Sequence, residues 1–482
     1  MNLLYSTIKR TVCLLLTVVL LFALYSCSGP TPDPDPVISV PPVDTETPTD
    51  PPGNSTPPPF NDYVPKEVSI VLWDLNTEST AKGEWARIRQ EKFARQYPEI
   101  SITRLATPMQ AGDAIGDRVA FTTAIASGTA PHAYHGGHFS LMTQWINNDF
   151  AYPIDEYVKN WADFSDLTDA SMKLARMDGK VYGIPEFLYV LCFAYNKDMY
   201  RAAGLDPDRP PETWEELVSN SRKLTTPDKS RYGLSLIGNS FADWWFQMFV
   251  WQAGGELSTF DDAGRVSVHY TDPAVKEALQ FYYDLRWTHD VLQSDFSIGA
   301  NDLWRDFTTG KCAQTIYSSH FYEVFVSMGM DEANLGLATL PVGPSGTDVA
   351  ASGGSYWFVT NQGSDDQKRA AFEYIRFMTS KEAMIELYET MEAYGARSPV
   401  FSFYKDIDPS DYISFNRTWT STFNRALASA REETALVESL RPYINPVIET
   451  VLINRNADLD TLLSNAERNA INDVVTPYNR NR

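Results

Sequence analysis

Half of the chain's six histidines stand in one short run, His132-Ala133-Tyr134-His135-Gly136-Gly137-His138. Three imidazoles within seven residues raise the question of a metal site, because zinc takes nitrogen ligands at close spacing. The run itself argues against one: its two glycines break regular presentation, and it contains neither carboxylate nor cysteine. With 62 acidic residues in the chain, a carboxylate pair of the kind that cleaves glycosides stays open. The sharper signatures are missing. There is no Gly-x-Ser-x-Gly elbow, no His-Glu-x-x-His, no Gly-x-x-x-x-Gly-Lys-[Ser/Thr] loop and no paired-cysteine spacing. The reading is therefore a protein that binds rather than catalyses, with no cofactor and no metal.

Aromatic side chains offer a different chemistry. The sequence holds 12 Trp, 25 Tyr and 25 Phe. Sugar rings expose apolar C–H faces that stack on aromatic planes, while their hydroxyls need amide, carboxylate and guanidinium partners. Most of these rings must be core. Trp73-Asp74 ends the first strand-like segment, where an α/β sheet presents ligand groups, and Asp74 is the better polar candidate. Gly353-Gly354-Ser355 allows close backbone approach to a ligand, with Trp357 read as core.

The elements that would hold these groups alternate between strand and helix. Val68–Trp73 is a short apolar strand, residues 84–97 carry Trp85, Ile88 and Phe93 at helical spacing, and Ile100–Thr103 is a second strand. This β-α-β rhythm implies a largely parallel sheet flanked by helices. Thr213-Trp214-Glu215-Glu216 reads as a helix start with a capping box, Asp272-Pro273 as a cap before a proline at the first helical position, and Ser364-Asp365-Asp366-Gln367 as the start of another helix. The helix after Ser364 carries Ala371, Ile375 and Met378 on one stripe, and residues 420–479 look helical throughout.

The chain opens with Lys9-Arg10, an apolar run from Val12 to Leu24, then Leu24-Tyr25-Ser26-Cys27. That run is too short to span a bilayer, and its end resembles a lipobox, in which the cysteine is acylated and becomes the new N-terminus. Residues 1–26 then form a lipoprotein signal, with Cys27 as the lipidation site on the outer side of a bacterial membrane. Between Pro30 and Pro65 lie 13 prolines among Asp, Thr and Ser. Such a segment cannot bury enough surface to fold, so residues 27–66 read as a tether, which in polyproline II form reaches on the order of 100 Å. Residues 67–482 form the body, too long for one core, so two lobes are expected. Loss of residues 1–26 removes Lys9 and Arg10 and no acids, taking the formal charge from −22 to −24. An acidic body argues against nucleic acid or anionic lipid as the ligand. Cys192 and Cys312, each in an apolar stretch, read as buried free thiols.

Several segments, in order, resemble the extracellular solute-binding proteins of bacterial ABC importers, in the sugar-binding branch that includes maltose-binding proteins. Tyr182-Gly183-Ile184-Pro185 through Phe193-Ala194-Tyr195-Asn196-Lys197-Asp198 is similar to that family's first interlobe crossing. Ala203-Gly204-Leu205 to Thr213-Trp214-Glu215-Glu216-Leu217 resembles its helix start, and Gly310–Ile316, Leu340-Pro341-Val342-Gly343-Pro344 and Thr379-Ser380-Lys381-Glu382 match later segments.

The resemblance implies two α/β lobes with a ligand cleft between them, each lobe a mainly parallel sheet flanked by helices. The first would take about residues 67–181 and 350–397, and the second about 186–345 and 400–482. It implies capture of a carbohydrate, an oligosaccharide, for a membrane permease with a cytoplasmic ATPase, and a monomer. Ligand contacts are expected at Trp73, Asp74, His135, His138, Tyr189, Asp243, Trp244, Trp245, His320, Gly354, Ser355, Tyr394 and Arg397. Of Trp244 and Trp245, one should face the cleft and the other the core. Arg397 replaces a proline of the family's pattern and keeps an anionic ligand such as glycerol phosphate open. A secreted glycan-active enzyme and a sensory ligand-presenting module are the remaining alternatives. A first check is metabolic labelling with a palmitate analogue. Label is expected on the wild-type protein and absent from Cys27→Ala, and an unlabelled wild type would overturn the lipidation reading.

Overall fold

The structure, a computed structural model, describes residues 66–75, 81–107, 118–136, 145–146, 148–173, 175–239, 241–261, 263–319, 322–396, 401–414 and 417–480. The chain divides into two units, Met1–Pro59 and Phe60–Arg482, and every described residue lies in the second. The signal, Cys27 and nearly all of the expected tether lie outside the described residues. Among those described, no helix is long and apolar enough to cross a membrane.

Strand β1 (Val68–Asp74) alternates as a half-covered strand must, with Ile70, Leu72 and Asp74 buried and Val71 and Trp73 only partly so. Its neighbours are β2 (Ile100–Ala106) and β3 (Ala133–Gly136), both parallel to it. A long strand, β4 (Gly183–Asn196), then runs through the middle of the molecule. It is followed by β5 (Gln314–Ser318), β6 (Leu335–Ala338) and β7 (Ser352–Val359). The seven strands form one sheet in the order β6-β4-β7-β3-β1-β2, with β5 also paired to β4. The first half of β4 pairs with β7, and residues from Leu191 onward pair with β5 and β6.

The sheet is mixed rather than mainly parallel. Only the β1–β2 and β1–β3 ladders are parallel; β7 is antiparallel to both β3 and β4, and β4 is antiparallel to β5 and β6. The reason is topological. β4 carries the chain from one half of the sheet to the other and β7 brings it back, so two strands sharing a ladder must run in opposite directions.

Among the longer helices are α1 (Ala81–Gln96), α2 (Trp214–Leu224), α3 (Ala242–Gln252), α4 (Pro273–Tyr283), α5 (Asp365–Met378), α6 (Lys381–Ala393), α7 (Arg417–Ser429), α8 (Val437–Ile453) and α9 (Leu459–Ala470). A helix starts at Ser364 as expected, and Ser364 and Gln367 form a complete capping box at the start of α5, whose stripe of Ala371, Ile375 and Met378 is buried. Thr213 caps α2 by accepting from Glu216 N, but the Glu216 carboxylate reaches one residue further back, to Glu212 N at 2.9 Å. Pro273 occupies the first turn of α4, and Asp272 makes no side-chain cap bond there. The C-terminal region is not helical throughout. Residues 430–436 leave the helix because Arg431 pairs with the root of β7, donating to Ala350 O at 2.9 Å and accepting from Ser352 N at 2.8 Å. Leu436, at φ 50°, precedes α8, and a second break ends where Asp458 caps α9.

Each half adds its own aromatic contacts to one continuous core. In the first, Phe93 of α1 meets Tyr374 and Phe377 of α5, and Arg89 is fully buried against Glu386 of α6 at 3.1 Å. In the second, Trp214 stacks on Phe281 at 4.2 Å and donates its indole N–H to Gln252. Cys192 and Cys312 are buried free thiols, and burial pushes Cys312 up to about 12.

Gly336 of β6 lies opposite Tyr195 of β4, and a Cβ there would run into the Tyr195 ring. Gly336→Ala should therefore cost about 1–3 kcal/mol by overpacking. A melting temperature several degrees lower is expected, and an unchanged one would show that the Tyr195 ring moves aside freely.

Candidate functional site

Strand alternation decides which of the expected residues can meet. Asp74 ends β1 on its buried face, and the β1–β3 register places Trp73 beside Tyr134, so Asp74 falls beside His135. His135 pairs across to Trp357 of β7, and their rings stack at 4.7 Å. Ser355, two residues earlier on β7, shares that face. Trp73 points the other way, into an aromatic cluster with Phe121 and Tyr134 at 6.2 and 6.0 Å. It therefore cannot act together with Asp74 on one ligand.

The register between β7 and β4 shifts here. Ser355 pairs with Phe187 and Tyr356 with Pro185, which leaves Glu186 as the extra residue of a β-bulge. A bulge re-aims a side chain. Glu186 comes to lie 2.8 Å from His135 Nε2 through Oε2, and 3.5 Å from Lys82 Nζ through Oε1. The Ser355 hydroxyl donates to Glu186 Oε2 at 3.3 Å and lies 3.0 Å from His135 Nε2. On its other side, His135 Nδ1 is 2.8 Å from Asp74 Oδ1, and Arg104 Nε donates to Asp74 Oδ2 at 2.7 Å. Thr107 fixes the strand by donating to the His135 carbonyl at 2.9 Å.

Asp74, His135 and Ser355 thus stand in the order carboxylate, imidazole, hydroxyl, the geometry of a hydrolytic triad. The electrostatics point away from that chemistry. Burial alone would lower the His135 pKa, but Glu186 and Asp74 overturn it and raise the pKa to about 9. Glu186 is likewise disfavoured as a charge by burial, yet Lys82 and His135 hold its pKa well below the usual carboxylate range. An imidazolium whose two N–H groups face carboxylates cannot accept a proton from a hydroxyl at neutral pH. The group is a chain of paired charges, cation and anion alternating from Arg104 through Asp74, His135 and Glu186 to Lys82.

Beside this chain lies a row of partly exposed rings. Phe187 and Tyr189, two apart on β4, are 6.3 Å from centroid to centroid, and the Lys82 ammonium sits 4.5 Å above Phe187. Trp244 of α3 meets Tyr189 edge-on at 6.2 Å. The row passes from the first half of the sheet, along the crossing strand, to a helix of the second half. Gly353 and Gly354 serve this packing: a Cβ on Gly353 would lie 2.6 Å from the Tyr189 hydroxyl, and one on Gly354 would strike the Phe187 carbonyl. The close approach they permit is of strand to strand.

The other expected residues separate from this group. Trp245 is fully buried and belongs to the core, which assigns the exposed face of the pair to Trp244. Asp243 is also buried, and Arg441 Nε donates to both of its oxygens at 2.9 Å while Nη1 reaches Glu438. Burial raises the Asp243 pKa to about 6 against the pull of Arg441. Its carboxylate is an anchor for Arg441. Tyr394 is 60% exposed at the end of α6. His138, His320 and Arg397 lie outside the described residues, and no cluster of three metal-ligating side chains occurs among the described ones. Sequence reasoning missed Lys82, Arg104, Glu186 and Phe187. The bulge that aims Glu186 depends on the partner strand and has no local signal.

Residues 76–385 match the family of bacterial extracellular solute-binding proteins. A putative binding protein of Brucella abortus is 25% identical over 275 residues, covering 56% of this chain and 62% of that one. The sn-glycerol-3-phosphate-binding periplasmic protein UgpB of Brucella melitensis is 25% identical over 252 residues, covering 50% and 54%. The chain thus spans less than two thirds of the length of these curated relatives. In fold, it resembles the GacH receptor of Streptomyces glaucescens, solved unliganded and with acarbose, at a TM-score of 0.68 and 21% identity over 84% of this chain and 97% of that one.

The charge chain sets a pH dependence. A raised histidine pKa adds stability that is complete below the unfolded value of about 6.5 and is lost as pH climbs through the folded value. Between pH 6.5 and 9 the wild type should lose on the order of 3 kcal/mol relative to His135→Gln. Chemical denaturation of both proteins across that range checks it, and parallel pH profiles would refute a protonated His135.

Proposed function

The chain belongs to the bacterial extracellular solute-binding proteins, and on that premise we propose that it captures a carbohydrate, an oligosaccharide, in a cleft between its two α/β lobes. One observation carries this reading: the row Phe187, Tyr189 and Trp244, each residue partly exposed, crosses from one half of the sheet to the other. A row of rings spaced at about 6 Å offers successive stacking platforms for linked sugar rings. Lys82 and Ser355 stand beside it as hydroxyl partners. The lobes follow the limits given above, with β4, β7 and the segment through Arg431 as the connections.

A cleft floored by crossing strands suits capture and release. Ligand contacts with both lobes favour the closed state, and closure gives a membrane permease a shape that distinguishes loaded from empty protein. In this reading Cys27 carries a lipid anchor, residues 27–66 act as the tether, and the body works as a monomer outside the cytoplasm. Serine-type hydrolysis is not part of it, because the described imidazole next to the Ser355 hydroxyl is held as a cation.

An anionic solute is the second reading, favoured by the likeness to UgpB. Arg397, which kept this reading open, lies outside the described residues, and Arg441 is already engaged by Asp243 and Glu438.

A thermal-shift screen of residues 67–482 against neutral oligosaccharides, uronates and glycerol 3-phosphate separates the two. A saccharide at 100 times its dissociation constant should add about 2.7 kcal/mol of stability. A shift with an oligosaccharide recovered intact is expected, and Trp244→Ala should abolish it. A shift with glycerol 3-phosphate alone would overturn the carbohydrate reading, and cleavage of the glycan would overturn the non-catalytic one.

A further inference from the structure

We infer that Glu186 is a positioning residue of the cleft: from its bulge in the first crossing strand it aims the Lys82 ammonium and the Ser355 hydroxyl at a single sugar ring beside Phe187, without touching that sugar itself. The inference rests on the carbohydrate reading proposed above and names which groups would read one ring of the ligand.

Three observations meet at this residue. The first is the register. Between Ser355 and Tyr356 the β4–β7 ladder skips Glu186, so the backbone gives up a regular pairing there. Bulges of this kind re-aim side chains next to functional sites. The second is burial. The Glu186 side chain is 3% exposed, and a carboxylate so placed is costly unless every lone pair is engaged. An apolar residue would pack the same space without that cost, so the charge has work to do that packing does not explain.

The third is the division of its two oxygens. Oε2 takes His135 at 2.8 Å and Ser355 at 3.3 Å, and Oε1 faces Lys82 at 3.5 Å. Ser355 is thereby oriented from both sides, donating to Glu186 with its oxygen toward His135 Nε2. Lys82, on the first turn of α1, is 25% exposed, and its ammonium lies over Phe187. With the ammonium over the Phe187 ring and the Ser355 hydroxyl beside it, the group fits a pyranose set against the edge of that ring, whose neighbouring hydroxyls accept from Lys82 and donate to Ser355 Oγ.

His135 couples this arrangement to the rest of the first lobe. The charged and titratable groups around it are Asp74 of β1 and Glu186 of β4, with Arg104 of β2 and Lys82 of α1 behind them; Tyr374 of α5 lies near Asp74. Loss of the His135 proton would leave two buried carboxylates facing a neutral ring, and Glu186 would no longer be fixed.

The test uses the folded body, residues 67–482, as wild type and with Glu186→Gln, Glu186→Asp and Lys82→Met. Lysines are reductively methylated with ¹³C, and the Lys82 resonance is assigned by its absence from Lys82→Met. Ring current from Phe187 should displace that resonance from the solvent-exposed lysines in the wild type. Glu186→Gln should return it toward them and lower the His135 titration midpoint, read by ¹⁵N NMR, by at least one unit. Glu186→Asp keeps the charge but shortens the reach, so it should leave His135 protonated while releasing Lys82; it also stands in if the glutamine variant does not fold. A Lys82 resonance unmoved in both Glu186 variants would overturn the inference.

Affinity for maltotriose, measured by calorimetry, gives the second arm. Glu186→Gln and Lys82→Met should each weaken binding about tenfold, and the double variant no further, because one acts through the other. A Glu186→Gln protein that binds as the wild type does would overturn the positioning role. A wild type that ignores maltotriose and every other saccharide in the screen would instead count against the carbohydrate reading, and the Lys82 resonance would then decide the placement of that side chain on its own.

Discussion

A buried imidazolium held between two carboxylates organises the centre of this protein. Burying any one of Asp74, His135 or Glu186 alone would cost several kcal/mol, so each is tolerable only in the company of the others. Their side chains come from three strands, β1, β3 and the crossing strand β4, and Ser355 adds a fourth, β7. The group therefore fixes the ends of the parallel strands against both crossing strands at one point. Arg104 and Lys82 extend the alternation outward until the last charge reaches solvent, where screening makes pairing less demanding.

That fixed point sits beside the two strands that join the halves of the sheet. β4 and β7 share the longest ladder between the two halves of the sheet, and Arg431 ties the return of the chain to the root of β7. Beyond Leu191, β4 leaves β7 and takes up β5 and β6. A strand clamped in one half of the sheet and continuous with the other ties the two halves through a single backbone. The aromatic row spans the same boundary, so a solute lying along it would touch both sides.

The same serine, histidine and aspartate show why geometry alone does not make an active site. Their distances fit a triad, yet a fourth side chain at 2.8 Å from the same nitrogen turns a base into a cation. Charge environment decided the chemistry, and the residue that decided it comes from a different part of the chain.

Much of the architecture was legible in the residues. The alternation in Val68–Asp74, the helix start at Ser364 and the proline after Asp272 act through neighbours only a few positions away, so the chain specified those elements locally. The choice of Asp74 and His135 as polar candidates also came from local reasoning about strand ends and ligand loops. Their mutual engagement did not, because it depends on the β1–β3 register. Trp73 was paired with Asp74 by adjacency, although alternation puts the two on opposite faces. Asp243 had a basic partner 198 residues away, and the helical pattern after Thr420 ran through Arg431, whose backbone is claimed by β7. By itself, the sequence determined the strand and helix elements and the stock of rings and charges. Only the tertiary structure decided which charges neutralise one another and which rings stay exposed, because burial, register and the bulge at Glu186 are set by partners distant in the chain.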